Sequence, residues 1–448
     1  MQYGAIRTLI IVVCLSSMCL AQNLSFERDR HKVMLKSIKD DIKKNYFDPN
    51  FKGIDIEAKF QEASGKLDKA ESIGQMSGVV AQFLIDFDDS HLFFNPPGKI
   101  NKAEFGFDFA MVGDKCFITR VETKSDAETK GLQVGDQLYA INDIGPDRGN
   151  LWKMRYFFFY LRPQPALKVT VIKPDNKPVE YTVLPKITKG KQVTDLTDTI
   201  DANNYLRDSE NADRKATTQY FNDKVPGVFI WKMPAFSIEP ENVDSIINKA
   251  AKFPALVIDL RNNAGGYLDM LERLVGDVFD HNVKIGDEKT RKGTKETIAK
   301  TGGKNAFGGK IVVLIDSGSA SSSEIFARLM QLEKRGTVFG DRSAGAVMGA
   351  RHFDYQTGID VVVPYGASIT IADLIMTDGK SLEKNGVVPD VMIIPTGKDL
   401  AMKRDVALAK ALESLGVTIS PEEAGKLFPD PNEDKSKGSD KNSEKKPN

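Results

Sequence analysis

From Val225 onward, apolar runs typical of buried strands alternate with amphipathic runs typical of helices. The runs "GVFIWKM", "ALVIDL" and "KIVVLI" are followed by "PENVDSIINKAAKF", "YLDMLERLVGDVF" and "SSSEIFARLMQLEK". Because a helix that joins two strands usually makes them parallel, this alternation predicts a largely parallel sheet covered by helices. After Arg335 we expect short strands through Ile394. The sequence therefore predicts an α/β core over residues 225–400.

The sequence patterns before and after this core divide the rest of the chain, from residue 22 onward, into five segments. In residues 22–100 apolar side chains recur every four positions, which predicts a helical region, and this period is clearest at Met34, Ile38, Ile42 and Tyr46. Residues 101–186 have strand-length periods and a hairpin in "VTVIKPDNKPVEYTVL". We expect a linker over residues 187–224, a helical segment over 401–428 and a disordered tail over 429–448, which has no large apolar residue after Phe428.

Residues 1–21 have the pattern of an export signal. Arg7 precedes the apolar run Leu9–Leu15, and small residues lead to Ala21. This run is shorter than the ~20 residues that cross a membrane. We expect an exported protein, periplasmic or extracellular, with no membrane insertion after the signal is removed. Cys116 would then be the one remaining cysteine, which leaves no partner for an intramolecular disulfide.

Composition argues against several classes of protein. The chain has 62 basic and 62 acidic residues and no basic stripe, so nucleic acid and anionic membrane surfaces are not expected partners. No His-Glu-x-x-His or Cys-x-x-Cys motif occurs, and "DFDDS" lacks the glycine and the distal glutamate of a calcium loop. We therefore expect no metal and no cofactor. The oligomeric state stays open.

A serine cluster lies where the apolar run "IVVLI" ends and a helix begins. It contains five serines, which are Ser317, Ser319, Ser321, Ser322 and Ser323. The unpaired N–H groups of a helix start stabilise a nearby oxyanion, which suits a nucleophilic serine. Serine is also a favoured helix cap. The local pattern does not choose between these roles, nor among the five hydroxyls.

A nucleophilic serine needs a base, and the chain has four histidines. His91 stands out because it lies in "LIDFDDSHLFFNPP", a polar stretch between two apolar runs. "VIDLRNNAGGYLDML" is a second strand that ends in a turn before a helix, and Gly265 and Gly266 in this turn allow close backbone approach. Together the two strand ends and His91 form a candidate acyl-transfer site.

The segments "GLQVGDQLYAIN", "DLRNNAGG", "GSASSSEIFA" and "LEKNGVVPDV" occur in this order. The set resembles the C-terminal processing, or tail-specific, peptidase family over the whole chain between the signal and the tail. The resemblance implies a crotonase-like or ClpP-like α/β core with an N-terminal helical bundle and an inserted PDZ domain. It also implies that the nucleophile is the serine after Ala320, which is Ser321.

The Ser-Lys branch of this family has a lysine in "FGKG" and a glutamine four residues later. This chain has "AGAV" at residues 344–347 and Ala350 at the glutamine position, so it departs from that branch. It resembles instead the tricorn-like branch, which implies catalytic roles for His91 as base, Ser90 beside it and Glu383 as the orienting acid. Adjacent side chains of a strand point to opposite faces, so Ser90 and His91 require a turn or a bulge.

The resemblance and the helix start together predict the remaining site residues. The expected oxyanion donors are the N–H groups of Gly265 and Ser322, with Gly266 as the alternative to Gly265. "FGFDF" resembles the carboxylate-binding turn of a PDZ domain, which implies peptide binding by Phe105, Gly106 and Phe107. A plain core strand is the alternative for this stretch.

The predicted function is that of an exported serine endopeptidase. Its expected substrates are unfolded or tail-exposed polypeptides, whose tails the PDZ-like domain captures. The alternative is a catalytically inactive binding scaffold of the same fold.

Overall fold

The computed structural model describes residues 2–97, 101–161, 164–189, 218–358 and 362–428. Residues 190–217 of the predicted linker and the predicted tail, residues 429–448, lie outside these ranges. The side chains of the predicted export signal, residues 1–21, are likewise outside the description, so the signal stays a prediction. Among the helices of the described ranges, none combines the length and the apolar character that a membrane crossing requires.

The helices are α1 (Gln2–Asn45), α2 (Ile56–Asp68), α3 (Ile73–Ile85), α4 (Asp126–Thr129), α5 (Leu151–Arg155), α6 (Pro240–Ala250), α7 (Leu268–Val278), α8 (Ser322–Leu332), α9 (Gly397–Ala401), α10 (Val406–Ser414) and α11 (Pro421–Ala424). Short 3-10 turns cover Phe51–Gly53 and Gly303–Asn305, and a π-helical turn covers Tyr156–Leu161.

The strands are β1 (Phe93–Asn95), β2 (Asn101–Glu104), β3 (Phe107–Val112), β4 (Lys115–Val121), β5 (Gln137–Ile141), β6 (Leu167–Ile172), β7 (Pro178–Val183), β8 (Lys186–Lys189), β9 (Tyr220–Asn222), β10 (Val228–Lys232), β11 (Ala255–Asp259), β12 (Val283–Thr290), β13 (Gly293–Ala299), β14 (Lys310–Ile315), β15 (Gly336–Gly340), β16 (Met348–Thr357), β17 (Val363–Met376) and β18 (Val391–Met392).

The central sheet has the strand order β18-β15-β14-β11-β10-β9 within the described ranges. Strands β10, β11, β14, β15 and β18 are parallel, and β9 is antiparallel to β10. Helices α6, α7 and α8 pack their apolar faces on one side of the sheet, and α10 packs on the other. The predicted α/β alternation is therefore confirmed.

A second, antiparallel sheet has the order β1-β17-β12-β13, with β16 also paired to β17. The expectation of short strands after Arg335 was wrong here, because β16 has 10 residues and β17 has 14. The hairpin of β12 and β13 was not predicted. Most side chains of β13 are exposed, so its sequence lacks the alternation of apolar residues that marks a strand.

The N-terminal helices pack against the second sheet. Side chains of α1 and α3 share a core with Tyr365, Ala367 and Ile369 of β17. The four residues with the clearest helical period, Met34, Ile38, Ile42 and Tyr46, are all fully buried in this core. Because α3 ends at Ile85, the chain leaves this core directly into the stretch that contains His91.

A third sheet, with the order β3-β4-β5-β6-β7, covers the β-rich region. The predicted hairpin is present, since β6 and β7 pair in antiparallel register from Leu167 opposite Val183 to Ile172 opposite Pro178. Strand β3 forms an edge of this sheet. Arg148 joins the region to the core, because its guanidinium donates to Asp341 Oδ2 at 2.7 Å. Strands β2 and β8 form a separate pair beside it.

Candidate active site

The hydroxyls of the serine cluster differ in what they donate to. Ser317, Ser319, Ser322 and Ser323 donate to the backbone carbonyls of Met111, Leu260, Gly266 and Asn263, at distances of 2.6 to 3.0 Å. Within the described residues the Ser321 hydroxyl donates to no acceptor. Four hydroxyls therefore stabilise the turn, and Ser321 Oγ is left with a free proton.

Ser321 also has an unusual backbone conformation, with φ at 54° and ψ at −121°. A non-glycine residue in this region is strained by about 1–3 kcal/mol. Two acceptors hold the conformation, since the Ser321 N–H donates to Ala346 O at 2.8 Å and to Glu324 Oε2 at 3.1 Å. The strained turn places Ser321 between β14 and the first residue of α8, a strand-turn-helix position that nucleophilic serines occupy in α/β-hydrolases.

The turn after β11 lies directly against Ser321. Gly265 has φ at 93°, and a Cβ atom at this position would lie 2.6 Å from Ser321 Cβ. Any side chain at residue 265 would therefore displace Ser321. This contact brings the two strand ends together, as the sequence predicted.

The expected oxyanion donors are not equally available. The Gly265 N–H donates to Asn263 Oδ1 at 2.8 Å, so this predicted donor already has an acceptor. The N–H groups of Gly266 and Ser322 have no acceptor within the described residues. Gly265 O accepts from Phe236 N at 2.8 Å, and the two ends of a trans peptide point in opposite directions, so the Gly266 N–H points away from Phe236. The geometry favours Gly266 over Gly265 as the partner of Ser322.

The chain turns at Ser90 and His91. Asp88 has φ at 48°, and the Leu92 N–H donates to Asp89 O at 3.4 Å, which closes a turn with Ser90 and His91 at its centre. Strand β1 then begins at Phe93. The turn required for two adjacent side chains to act together is therefore present.

Ser90, His91 and Glu383 form a chain of hydrogen bonds. Ser90 Oγ donates to Glu383 Oε2 at 2.8 Å and lies 2.7 Å from His91 Nδ1. The Ser90 N–H also donates to Glu383 Oε1, at 3.1 Å. Because the Ser90 proton is directed at the carboxylate, Nδ1 of His91 is the donor to Ser90 Oγ. Nε2 is then unprotonated, which is the tautomer that a general base needs.

Burial sets the direction of both pKa shifts. It lowers the pKa of His91 below the usual 6.5, and the charge of nearby Asp89 opposes this shift. It raises the pKa of the Glu383 carboxyl, and the hydrogen bonds from Ser90 and the Val347 N–H oppose that rise. His91 is therefore neutral at neutral pH.

Ser321 reaches the other three residues through one peptide unit. Ala346 O accepts from the Ser321 N–H at 2.8 Å, and the adjoining Val347 N–H donates to Glu383 Oε2 at 2.9 Å. His91 and Ser321 form no hydrogen bond within the described part of the chain. Catalytic hydrogen bonds are often made only when substrate is bound. The structure thus joins Ser90, His91 and Glu383 directly and Ser321 indirectly.

Glu324 was not predicted as a site residue. Its buried carboxylate accepts from Ser343 Oγ at 2.6 Å, Gly345 N at 2.8 Å and Ala346 N at 2.9 Å, besides the Ser321 N–H. Burial raises its pKa to about 7, and these hydrogen bonds oppose the rise. Glu324 therefore ties Ser321 to the loop that contacts Glu383. The sequence signal was a glutamate three residues after a helix-capping serine, which also fits an ordinary capping box.

The expected peptide-binding residues lie at the start of β3. Phe105 and Phe107 are buried and pack against the ring of Phe159. Gly106 has φ at 72°, and a Cβ atom there would lie 2.4 Å from Ser125 Cβ, so the turn itself requires glycine. Beside β3 lies a cavity lined by Phe107, Asp108, Phe109, Ala110, Thr119, Arg155, Phe159, Asn262 and Asp316. The cavity connects the edge of the third sheet with the two strand ends of the site.

No cluster of three or more His, Cys, Asp or Glu side chains in the described ranges has the arrangement of a metal site. The chemistry available to the site is that of Ser321, His91, the two carboxylates and the backbone N–H groups around them. Such a set suits acyl transfer through a serine nucleophile.

Comparison with known proteins agrees with this chemistry. Residues 229–393 match the model of peptidase family S41. The chloroplastic C-terminal processing peptidase of Tetradesmus obliquus is 30% identical over 142 residues, which are 31% of this chain and 29% of that protein. The putative tricorn protease homolog 2 of Streptomyces coelicolor is 32% identical over 170 residues, which are 36% of this chain and 13% of that protein. The chain spans less than a third of the length of either relative.

A solved structure supports the fold. The structure of mature CPAF complexed with lactacystin aligns with a TM-score of 0.63 at 14% identity, and covers 90% of this chain and 99% of that chain. The family model covers the part of the chain that holds most of the central sheet and the serine cluster, and the named relatives are peptidases.

Proposed function

We propose that this chain is an exported serine endopeptidase in which Ser321 is the nucleophile and His91 the general base. The observation that carries the proposal is the chain of hydrogen bonds from Glu383 through Ser90 to His91 Nδ1, because it leaves Nε2 unprotonated. The match of residues 229–393 to peptidase family S41 supports the same reaction class.

The proposed reaction begins when Ser321 Oγ attacks the carbonyl carbon of the scissile peptide bond and its proton moves to His91 Nε2. The tetrahedral oxyanion accepts from the N–H groups of Ser322 and Gly266. The imidazolium then gives its proton to the leaving amine as the C–N bond breaks, which yields an acyl-enzyme. Water, activated by His91, hydrolyses the ester and restores Ser321.

Glu383 acts in this scheme through the Ser90 hydroxyl. The negative charge of Glu383, at the far end of the hydrogen-bond chain from His91, stabilises the imidazolium that forms during acylation, as the acid of a Ser-His-Asp triad does. The carboxylate also accepts from the Ser90 N–H at 3.1 Å, which holds the turn against the loop of residues 381–387. Glu383 therefore both orients the base and favours its charged form.

For substrates we propose unfolded or tail-exposed polypeptides whose tails bind beside β3. An edge strand can pair with an extended peptide, and at β3 two carbonyls, Phe109 O and Met111 O, already accept from Arg155 and Ser317. The cavity next to β3 leads toward Asn262 and Asp316, which follow the strands that end at the site. A tail bound along β3 is thus adjacent to the path toward Ser321.

The alternative of an inactive scaffold finds less support. Strained backbone conformations persist mainly at functional sites, and Ser321 is held in one. The buried Glu324 carboxylate, with four donors, supports this conformation, which an inactive scaffold would not require. The named relatives are peptidases.

A fluorophosphonate probe, which reacts with activated serines, tests the proposal. Wild-type protein should be labelled at Ser321 and should hydrolyse an unfolded protein substrate, and Ser321→Ala should lose both properties. Ser317→Ala is the matched control, since that hydroxyl already donates to Met111 O, and it should keep them. Labelling at another serine, located by mass spectrometry, would contradict the assignment, and hydrolysis by Ser321→Ala would contradict the function.

A further inference from the structure

Asp89 immediately precedes the Ser90–His91 pair, and its side chain is fully buried. Its Oδ1 accepts from the His91 N–H at 3.0 Å and from Thr370 Oγ1 at 2.7 Å. Its Oδ2 accepts from the Tyr46 hydroxyl at 2.8 Å. A buried carboxylate is tolerated only where donors satisfy both oxygens, and this condition is met here.

The donors to Asp89 come from parts of the chain that are far apart in sequence. Tyr46 follows α1, and Thr370 lies in β17. Lys52, in the 3-10 turn, places its ammonium 3.5 Å from Oδ2. Backbone contacts support the same junction, since the Phe47 N–H donates to Thr370 O at 3.1 Å. Besides the apolar core that they share, the N-terminal region and the second sheet are therefore joined through the carboxylate of Asp89.

We propose that Asp89 is a positioning residue of the active site, which holds the Ser90–His91 turn against α1 and β17 and faces the imidazole with a second negative charge. This inference rests on the proposed function, because it assigns a role toward the His91 base. It also gives the N-terminal helical region a function, which is to hold the base in place. The proposed catalytic residues Ser90, His91, Ser321 and Glu383 all lie outside the helices of that region.

Two properties separate Asp89 from the other acids of "DFDD". Its carboxylate bonds directly to the backbone of His91, and it is buried, so solvent screens its charge less. Asp88 is exposed and pairs with Lys153 and Lys384. Asp86 pairs with Lys59 at 2.9 Å. The neighbouring acids thus serve as internal controls.

The charge of Asp89 opposes the effect of burial on His91. Burial lowers the pKa of the imidazole, and the nearby carboxylate raises it. The charged and titratable groups of the elements around His91 are Asp88 and Asp89 on its own turn, Glu383 and Lys384, Tyr46 and Lys52, and Lys153. Removing the charge of Asp89 should lower the His91 pKa further.

Asp89→Asn is the principal test, with Asp88→Asn and Asp86→Asn as controls. For each variant we would measure kcat and KM on a peptide substrate from pH 4.5 to 8, normalised to the sites titrated by the fluorophosphonate probe. We expect Asp89→Asn to lower kcat about 30-fold, as expected for a residue that supports a catalytic unit, with KM unchanged. The acid limb of kcat/KM should move to lower pH, by about one unit. The controls should change kcat less than threefold and leave the limb in place.

A purely structural role would reduce the titrated sites without moving the acid limb, and that result would overturn the proposal. If Asp89→Asn does not fold, Tyr46→Phe combined with Thr370→Val removes two donors and keeps the charge. This double variant should lower kcat about tenfold at constant KM, and wild-type kcat would refute the positioning role. Ser321→Ala distinguishes failure of the proposed function from failure of this inference. Hydrolysis by Ser321→Ala would refute the proposed function. An inactive Ser321→Ala together with wild-type kcat and pH profile in Asp89→Asn would refute only the role of Asp89.

Discussion

The nucleophile and the base of the proposed site are held in different ways. Ser321 lies in a strand-turn-helix unit, and most of its supports are backbone groups of the adjoining turns. His91 lies in a turn between a helix and a short strand, and its supports are the side chains of Asp89, Ser90 and Glu383. The nucleophile is thus positioned largely by local chain geometry, and the base by contacts between distant segments.

This difference predicts how the nucleophile half of the site, Ser321 with its supports, and the base half, His91 with its supports, respond to substitution. Most of the groups that hold Ser321 are backbone groups, which remain when one side chain is altered, so side-chain substitutions around Ser321 should cost less activity than those around His91. The base depends on the side chains of Asp89, Ser90 and Glu383, so single substitutions there should have large effects on rate and small effects on folding.

The largest effect should come from His91→Ala, which removes the base itself. We expect single-turnover acylation to fall at least about ten-thousand-fold, because the members of a catalytic unit act together. In the wild type, kcat/KM should fall on acidification with an apparent pKa below 6.5, since burial lowers the pKa of His91 and only the neutral imidazole accepts a proton. His281→Ala, at an exposed position, is the control. Equal rates in the two variants would mean that another group is the base.

Glu383→Gln tests the acid that acts through Ser90. We expect a loss of about a hundredfold to a thousandfold in acylation rate, smaller than for a directly bonded triad acid, where about ten-thousand-fold is lost. Combining it with Ser90→Ala should add little, because both changes interrupt one chain of bonds. Single-turnover hydrolysis with circular dichroism would measure this, and Glu413→Gln, an exposed glutamate, is the control. Additive losses would show that Ser90 and Glu383 act separately.

Glu324→Gln tests whether the nucleophile half also depends on a side chain. The amide would direct N–H groups toward some of the donors that the carboxylate now accepts from, so the loop of residues 343–347 should shift. We expect kcat to fall about tenfold to a hundredfold, the cost of one or two charged hydrogen bonds. Glu333→Gln, at the exposed residue that ends the same helix, should have no effect. A loss as large as that of His91→Ala would contradict the contrast between the two halves.

The smallest effect should come from the substrate tail. If the turn at Phe105 and Gly106 binds a terminal carboxylate, a peptide with a free C-terminus should be cleaved about tenfold faster than its amidated form, the low end for a charged hydrogen bond. The ratio should fall with added salt. Competition between the two peptides in one reaction measures it, and equal rates would leave the third sheet without a role in tail recognition.

Much of the nucleophile half was predictable because its signals are local. An apolar run followed by small residues and an amphipathic run marks a strand-turn-helix unit wherever it occurs. The resemblance of "GSASSSEIFA" to a known family chose Ser321 among five serines, and the structure adds a physical reason, since the other four hydroxyls donate to carbonyls. The choice of Gly265 as oxyanion donor was less successful, because the bond to Asn263 depends on the shape of the turn.

The base half was less predictable in detail. The sequence suggested His91, Ser90 and Glu383 by resemblance, but Ser90 and Glu383 are 293 positions apart, and no local pattern indicates that their side chains meet. Asp89 was one of three acids in a row, and only burial and bonds to Tyr46 and Thr370 separate it from its neighbours. In the sequence Glu324 fits a helix capping box. Only the structure shows that its carboxylate also binds the loop of residues 343–347.

The sequence by itself therefore determined the α/β alternation, the strand-turn-helix position of the serine cluster and the helical period that packs the N-terminal core, because each follows from the side chains of neighbouring residues. The tertiary structure alone decided the lengths of β16 and β17, the missed hairpin of β12 and β13, and which acids surround the base. These features depend on pairing and burial between distant segments. A strand such as β13, whose side chains are mostly exposed, is stabilised by its partner strand, and a buried carboxylate such as Asp89 by donors from three elements.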